Sequence, residues 1–89
     1  MAKVFFTTNL RRHVDFPEAE APGATVGEVL ARVFAQQDRI GAYVLDDQGA
    51  LRKHMTILVD GQRVKDRERL SDRVMDTSEI YVMQALSGG

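Results

Sequence analysis

The clearest hydrophobic pattern in the chain is a helical one that follows Thr25. Thr25 is suited to cap a helix, and Glu28 follows at the three-residue spacing of a capping box. This pattern predicts an amphipathic helix that begins after Thr25 and ends near residues 37–39, with Gly41 just beyond it. Apolar residues recur on one face of the predicted helix at Val26, Val29, Leu30, Val33 and Phe34.

A β-hairpin is predicted before this helix. Residues 3–8 are rich in β-branched and aromatic side chains, and residues 12–16 alternate between polar and apolar, so both segments are expected to be strands. Residues 9–11 are expected to turn the chain between them. Residues 17–24 contain both prolines and a glycine, which predicts a loop.

A second, smaller hairpin is predicted after the helix. Residues 43–45 and 51–53 are apolar or mixed segments that flank the turn-forming run Asp46-Asp47-Gln48-Gly49. The two segments are therefore expected to pair with each other.

The remaining pattern is also that of strands. Residues 54–60 alternate in the manner of a central strand, Asp60-Gly61 predicts a tight turn, and residues 62–64 are expected to return as a short strand. Residues 79–85 predict the last strand. An order of two strands, one helix and several further strands favours an α+β fold, in which one main helix lies across one face of a mixed sheet.

Composition narrows the class of protein. A chain of 89 residues is expected to form one domain, and a formal net charge of −1 provides no overall basic field for nucleic acid or an anionic membrane. The absence of cysteine excludes disulfides, thiolate metal sites and a cysteine nucleophile. No apolar run is long enough for a membrane span or a signal peptide, so a cytoplasmic location is expected.

Arginines and acids alternate along residues 63–76. We interpret this stretch as a solvated surface of mixed charge, and a local docking face for an acidic partner is the alternative. The charged residues in question are Arg63, Asp66, Arg67, Glu68, Arg69, Asp72, Arg73 and Asp76.

The sequence contains no recognisable catalytic or metal-binding motif. His13 and His54 lie far apart, with no carboxylate at ligand spacing, so no metal site is expected. The serines lack the surroundings of a nucleophile elbow, and the glycines do not form a phosphate-binding loop. The chain is therefore not expected to be an enzyme.

The end of the printed sequence carries the most informative motif. Strand-like residues run to Ala85 and are followed by Leu86, Ser87, Gly88 and Gly89. Glycine adds no packing and is entropically unfavourable to order, so a Gly-Gly end does not stabilise the fold. Because the two glycines lack Cβ atoms, they form a narrow segment of backbone. Such a segment can enter a narrow channel in another protein and present its carboxylate to a nucleotide bound there. The alternative is a frayed end.

The chain resembles the ubiquitin-like sulfur-carrier family, which includes the small subunit of molybdopterin synthase and the sulfur carrier of thiamine biosynthesis. The resemblance covers nearly the whole chain and is carried by residues 25–30, 57–61 and 76–82 and by Gly88-Gly89. Residues 45–52 resemble a longer-loop branch that includes stand-alone carriers.

Some positions differ from that family. Asp60 stands where asparagine is common, and Thr77-Ser78 stands where an acidic residue and glycine often form a turn. The four residues from Gln84 to Ser87 also lack the proline that many members carry before the tail. These differences leave open which pathway receives the sulfur.

The resemblance implies a β-grasp domain over residues 1–86 and a flexible tail over residues 87–89. It also implies that a ubiquitin-activating-like enzyme adenylates the Gly89 carboxylate with ATP and magnesium, while Gly88 and Ser87 thread its channel. A sulfur donor then converts Gly89 to a thiocarboxylate, and an enzyme of cofactor, amino-acid or tRNA biosynthesis accepts the sulfur. No permanently bound cofactor, nucleic acid or membrane is implied.

A docking surface is expected on the sheet face opposite the helix. Strand alternation places one set of apolar residues outside if Val4, Phe6, Ile57, Val59, Ile80 and Val82 face the core. The alternative is a register shifted by one residue, which would make the outer set the core. The expected docking residues are Phe5, Leu58, Tyr81 and Met83.

Two alternative functions differ in whether they require the terminal glycine. In the first, Gly89 is joined to lysines of target proteins, as in a ubiquitin-like modifier. In the second, the domain is a non-covalent interaction subunit and the terminal glycine is dispensable.

Overall fold

The computed structural model of the protein describes residues 1–7 and 18–84. Five strands and two helices follow one another in the described chain. They are β1 (Ala2–Phe6), β2 (Glu18–Ala21), α1 (Val26–Phe34), α2 (Asp38–Val44), β3 (Met55–Val59), β4 (Gln62–Arg63) and β5 (Glu79–Gln84).

The strands form one mixed sheet in the order β2-β1-β5-β3-β4. β1 and β5 are parallel, and the other neighbouring pairs are antiparallel. The last strand of the chain therefore lies at the centre of the sheet, between the first strand and β3. The predicted mixed sheet is confirmed.

The core lies between the sheet and α1. The apolar stripe of α1 is buried, and it joins the inner side chains of the sheet in one hydrophobic cluster. Each large aliphatic or aromatic side chain so buried contributes roughly 1.5–3 kcal/mol to folding. The predicted core residues Val4, Phe6, Ile57, Ile80 and Val82 are all buried, and Val59 packs partly buried against them.

The start of α1 is fixed by a cap. Thr25 Oγ1 accepts a hydrogen bond from the Glu28 backbone N–H at 3.2 Å. Glu28 Oε1 in turn accepts from the backbone N–H of Ala24 at 3.0 Å. The predicted cap residues therefore satisfy backbone donors at the helix N-terminus, as the spacing of Thr25 and Glu28 indicates.

The first turn of α1 also rests on the loop before β5. The backbone N–H groups of Val26 and Gly27 donate to the carbonyl oxygens of Asp72 and Leu70, at 3.0 and 2.8 Å. Leu70 is 1 % exposed and adopts a positive φ of 54°, a backbone conformation that a leucine rarely takes. The loop thus supplies partners for helix donors that have none within the helix.

The N-terminal hairpin differs from its prediction. The strand that pairs with β1 is Glu18–Ala21, inside the segment predicted to be a loop, and Ala21 lies opposite Ala2. The predicted strand over residues 12–16 lies outside the described residues. The flanking prolines suggest a loop, but along the chain they lie on either side of a short edge strand. Its alanines face inward and its glutamates face outward, and charged side chains of this kind are typical of protected sheet edges.

The segment after α1 was predicted wrongly. α1 ends at Phe34, and a second helix, α2, takes up residues predicted to be a helix end and a strand. Gly41 lies inside α2 instead of ending a helix, and a Cβ added there would lie 3.0 Å from the Cβ of Phe34. The predicted hairpin is reduced to a single bridge between Leu45 and Leu51. The helical spacing of Ile40 and Val44, both buried, prevails over the turn pattern.

The turn between β3 and β4 is confirmed. Asp60 and Gly61 both have positive φ, 50° and 87°, as the tightest hairpin turns require. Asp60 Oδ1 also accepts from the backbone N–H of Glu79 at 2.9 Å. The turn is thereby tied to the start of β5.

Arg67 is not a solvated surface charge. Its Nη2 donates to the carbonyl oxygens of Arg52 and Met55, at 2.9 and 2.8 Å, and its own carbonyl accepts from the Leu51 N–H at 2.7 Å. The side chain therefore holds the segment that leads into β3. The prediction of a uniformly solvated stretch is wrong at this residue.

Asp66 organises the loop that follows β4. Its carboxylate accepts from Ser71 Oγ at 2.5 Å and from the backbone N–H groups of Glu68 and Arg69. These bonds, that of Ser71 first, hold the pKa of Asp66 below its ordinary value because they favour the ionised form.

Substitution of Gly27 tests the contact between α1 and the loop. Glycine to alanine inside a helix ordinarily stabilises by about 1 kcal/mol. At Gly27 the new Cβ would lie 3.2 Å from the Arg69 carbonyl oxygen and 3.3 Å from that of Leu70. We therefore expect Gly27→Ala to give no gain, or a loss, in the free energy of unfolding measured with urea. The exposed control Ala31→Gly should show the ordinary helix penalty, and a stabilised Gly27→Ala would contradict the tight contact.

Removal of the Ser71 hydroxyl tests the bonding of Asp66. Because the pKa of Asp66 is lower in the folded state than in the unfolded state, its carboxylate stabilises the fold above the unfolded pKa. That contribution is lost as pH falls through the folded pKa. Ser71→Ala should raise the pKa of Asp66 towards its ordinary value in an NMR titration of the carboxyl carbon. Thr77→Ala, which also removes an exposed hydroxyl, should leave the Asp66 titration unchanged.

Candidate functional site

An apolar row crosses the outer face of the sheet over its three central strands. Tyr81 on β5 lies directly opposite Phe5 on β1 and Leu58 on β3. The rings of Phe5 and Tyr81 stack with centroids 4.9 Å apart and planes 20° apart. Met83 follows Tyr81 on the same face of β5, opposite Thr56. We call Phe5, Leu58, Tyr81 and Met83 the apolar row.

The row lies on the face that the alternation predicts. Ile80 and Val82 flank Tyr81 in sequence and are fully buried, whereas Tyr81 itself is 37 % exposed. The other three members are half-buried. The predicted register is therefore correct, and partly exposed apolar side chains that adjoin one another are typical of interaction surfaces.

Charged side chains border the row on both sides. On β2, Glu18 lies opposite Phe5, and Glu20 lies opposite Lys3. On β4, Arg63 lies opposite Leu58. The outer face thus runs from carboxylates at one edge, through the apolar row, to a guanidinium at the other. Sequence reasoning missed these border residues because their place depends on the strand order.

The strand that contains Tyr81 also leads to the predicted tail. Gln84, the last residue of β5, lies opposite Met55 in β3, and the Thr7 N–H donates to the Val82 carbonyl at 3.2 Å. Tyr81 is therefore about 10 Å along the strand from the point where residue 85 begins. The predicted tail residues Ser87, Gly88 and Gly89 lie outside the described residues.

The described residues form neither a metal site nor a membrane-spanning helix. Over residues 1–7 and 18–84, no group of three or more His, Cys, Asp or Glu is placed to hold a metal ion. His54 packs edge-on against Tyr43, with ring centroids 5.1 Å apart, and His13 lies outside the described part. None of the described helices is both long enough and apolar enough to cross a membrane.

Several solved structures share this fold. A chain in the crystal structure of the BexX/CysO complex from Amycolatopsis orientalis is 27 % identical, with a TM-score of 0.84 and full coverage of both chains. Small archaeal modifier protein 1 from Methanosarcina acetivorans is 26 % identical, with a TM-score of 0.81 over 99 % of this chain and 95 % of that one. CysO from Mycobacterium tuberculosis is 24 % identical, with a TM-score of 0.82 over 97 % of this chain and all of that one, and supports the fold alone. These likenesses confirm the predicted β-grasp fold.

A comparison with family models gives the family. No match to a curated protein is found. The model of the ThiS family matches residues 4–89, which is nearly the whole chain and includes both terminal glycines. The protein therefore belongs to the ThiS family, as the resemblance to ubiquitin-like sulfur carriers predicts.

Proposed function

We propose that this protein carries sulfur as a thiocarboxylate on Gly89. The observation that carries the proposal is the match of the ThiS family model through Gly89, on a chain whose central strand ends only five residues earlier. In the first step, a carboxylate oxygen of Gly89 attacks the α-phosphorus of ATP, and magnesium-bound pyrophosphate leaves. In the second, a sulfur donor attacks the acyl carbon, and AMP leaves.

The geometry of the described residues supports delivery of the acyl group to another protein. β5 is held on both sides, by β1 and by β3, so Gln84 is a fixed point at the edge of the body. Five residues extend at most about 18 Å from that point. A partner that contacts the outer face of the sheet is therefore within reach of Gly89, with Gly88 and Ser87 passing through its channel.

The proposal assigns the catalysis to partners. A ubiquitin-activating-like enzyme supplies the ATP and magnesium site and stabilises the charge that develops during adenylation. An enzyme of cofactor, amino-acid or tRNA biosynthesis accepts the sulfur. This chain supplies the acyl group and the docking surface, so it is a carrier and not an enzyme. Its proposed location is the cytoplasm, where ATP is present.

The apolar row is the proposed contact with those partners. Tyr81 and Phe5 form a stacked pair at its centre, and aromatic side chains dominate the energetics of many interfaces. The charged borders at Glu18 and Arg63 would orient a partner across the sheet, because each end attracts the opposite charge.

A second candidate function uses the same terminus. The likeness to small archaeal modifier protein 1 favours attachment of Gly89 to lysines of other proteins. Both functions begin with adenylation of Gly89, and they differ in whether sulfur or an amine attacks the acyl carbon.

The terminus is tested by intact mass spectrometry. The protein is incubated with its adenylating enzyme, ATP, magnesium and sulfide, and we expect one oxygen of Gly89 to be replaced by sulfur. A variant that lacks Gly88 and Gly89 should remain unchanged. Residues 74–89 attached to lysines in tryptic digests of cellular proteins would favour the modifier function, because Arg73 is the last basic residue before Gly89. Adenylation followed by no sulfur exchange would contradict the carrier function.

The apolar row is tested by truncation of Tyr81. Tyr81→Ala should lower kcat/KM for adenylation at least about fivefold, because a buried aromatic at an interface is commonly worth more than 1 kcal/mol. The control is Met75→Ala, which truncates a side chain that is 70 % exposed and lies outside the row. Both variants should unfold close to the urea midpoint of the unmodified protein. Equal kcat/KM for the two would show that the row is not the docking surface.

A further inference from the structure

A polar groove lies at the β4 edge of the sheet, and Arg63, which borders the apolar row, also lines this groove. It runs between the β3–β4 hairpin and the loop that precedes β5, and its volume is about 590 Å³. This is within the range of pockets that hold sizeable ligands, roughly 300–1,000 Å³. The charged residues of its lining are Asp60, Arg63, Lys65, Asp72 and Arg73.

The acids at this groove are engaged with the backbone. Asp72 accepts from the N–H of Lys65 through Oδ2 and from the N–H of Asp66 through Oδ1, each at 2.9 Å. Asp60 accepts from the N–H of Glu79 at 2.9 Å. These carboxylates form turns, and their oxygens are directed at the chain itself.

The cations at the groove are not engaged in this way. Arg63, Lys65 and Arg73 are exposed. Within residues 1–7 and 18–84, none of these three side chains makes a hydrogen bond or an ion pair. Acids and cations are balanced in the sequence around the groove, but among the charged side chains of the described lining only the acids are bonded to the backbone. At the groove, Asp60 and Asp72 accept hydrogen bonds from the backbone, and three cationic groups remain available to a ligand.

The groove is remote from Gln84, the last residue of β5. It lies at the start of β5, where Asp60 binds the Glu79 N–H, and residue 85 begins at the other end of that strand. Five residue steps along a strand span about 17 Å. A ligand in the groove would therefore leave the end of β5 clear.

We infer that this groove binds an acidic peptide segment of a partner protein. Arginine and lysine side chains pair strongly with carboxylates, and arginine does so with two parallel hydrogen bonds. A compact dianion such as phosphate fits less well, because Asp60 and Asp72 line the same groove and repel a concentrated negative charge. Single carboxylates spaced along a peptide avoid that repulsion. The inference does not depend on the sulfur chemistry of Gly89.

The test is an NMR titration of the isotope-labelled full chain with a short peptide of glutamates. We expect saturable shifts of backbone amides confined to Val59–Arg63 and Lys65–Arg73, which disappear at about 0.5 M salt because screening weakens exposed charges. The variant Lys65→Glu/Arg73→Glu should bind the peptide at least about tenfold more weakly. The charge-matched control Arg39→Glu/Lys53→Glu reverses two exposed cations outside the groove and should bind as the unmodified protein does.

Three outcomes would overturn the inference. They are the absence of saturable shifts, equal weakening in the two double variants, and saturation by inorganic phosphate at the same concentration as the peptide. Lys65→Gln/Arg73→Gln, which adds no negative charge beside Asp72, provides a second comparison if the reversed variant does not fold. It should bind with intermediate strength.

Discussion

The pairing of β5 with both β1 and β3 is the interaction on which the rest of the structure depends. It places the last strand of the chain at the centre of the sheet, parallel to β1 and antiparallel to β3. Ile80 and Val82 are thereby buried against α1, and Tyr81 is brought between Phe5 and Leu58 on the outer face. One strand therefore completes the core, centres the apolar row and fixes the root of the tail.

The loop before β5 is the second organising element. Its carbonyl groups receive the first N–H groups of α1, and Leu70 fills the core from a strained backbone conformation. A strained residue persists only when its surroundings over-determine it. Here the helix bonds at Val26 and Gly27 and the carboxylate bonds of Asp66 and Asp72 provide that support. The carboxylate bonds of Asp66 and Asp72 run to the loop's own backbone and Ser71, and Lys65 and Arg73 remain exposed at the groove.

Much of the fold follows from local patterns of the sequence. The helix after Thr25, the turn at Asp60-Gly61 and the inner and outer faces of β1, β3 and β5 were all predicted correctly, because each depends on periodicity or turn chemistry within a short window. β2 was missed because its alanines and glutamates have weak strand propensity and its pairing with β1 is long-range. α2 was missed because two buried residues, Ile40 and Val44, are too few to show a helical period in the sequence. Gly41 also suggested the end of a helix.

The candidate site also has a part that the local sequence predicts and a part that it does not. The four residues of the apolar row follow from strand alternation alone, whereas the border residues Glu18 and Arg63 require the strand order and the registers of β2 and β4. The groove could not be predicted, because nothing in an alternating charge pattern shows which side chains bond to the backbone. Arg67 illustrates the point, since it stands between two acids of the alternating run, Asp66 and Glu68, but donates to the backbone carbonyls of Arg52 and Met55.

Under the proposed function, there is a physical reason why the terminal glycines are attached to a folded domain. Holding an extended backbone in one conformation costs roughly 1–2 kcal/mol per residue, and glycine lacks side chains whose contacts would offset that. A partner that recognised only the last residues would therefore bind weakly. Contacts across the outer face add binding energy that does not depend on the state of the Gly89 carboxylate. The tail can then change chemically, from carboxylate to adenylate to thiocarboxylate, while the same body docks on successive partners.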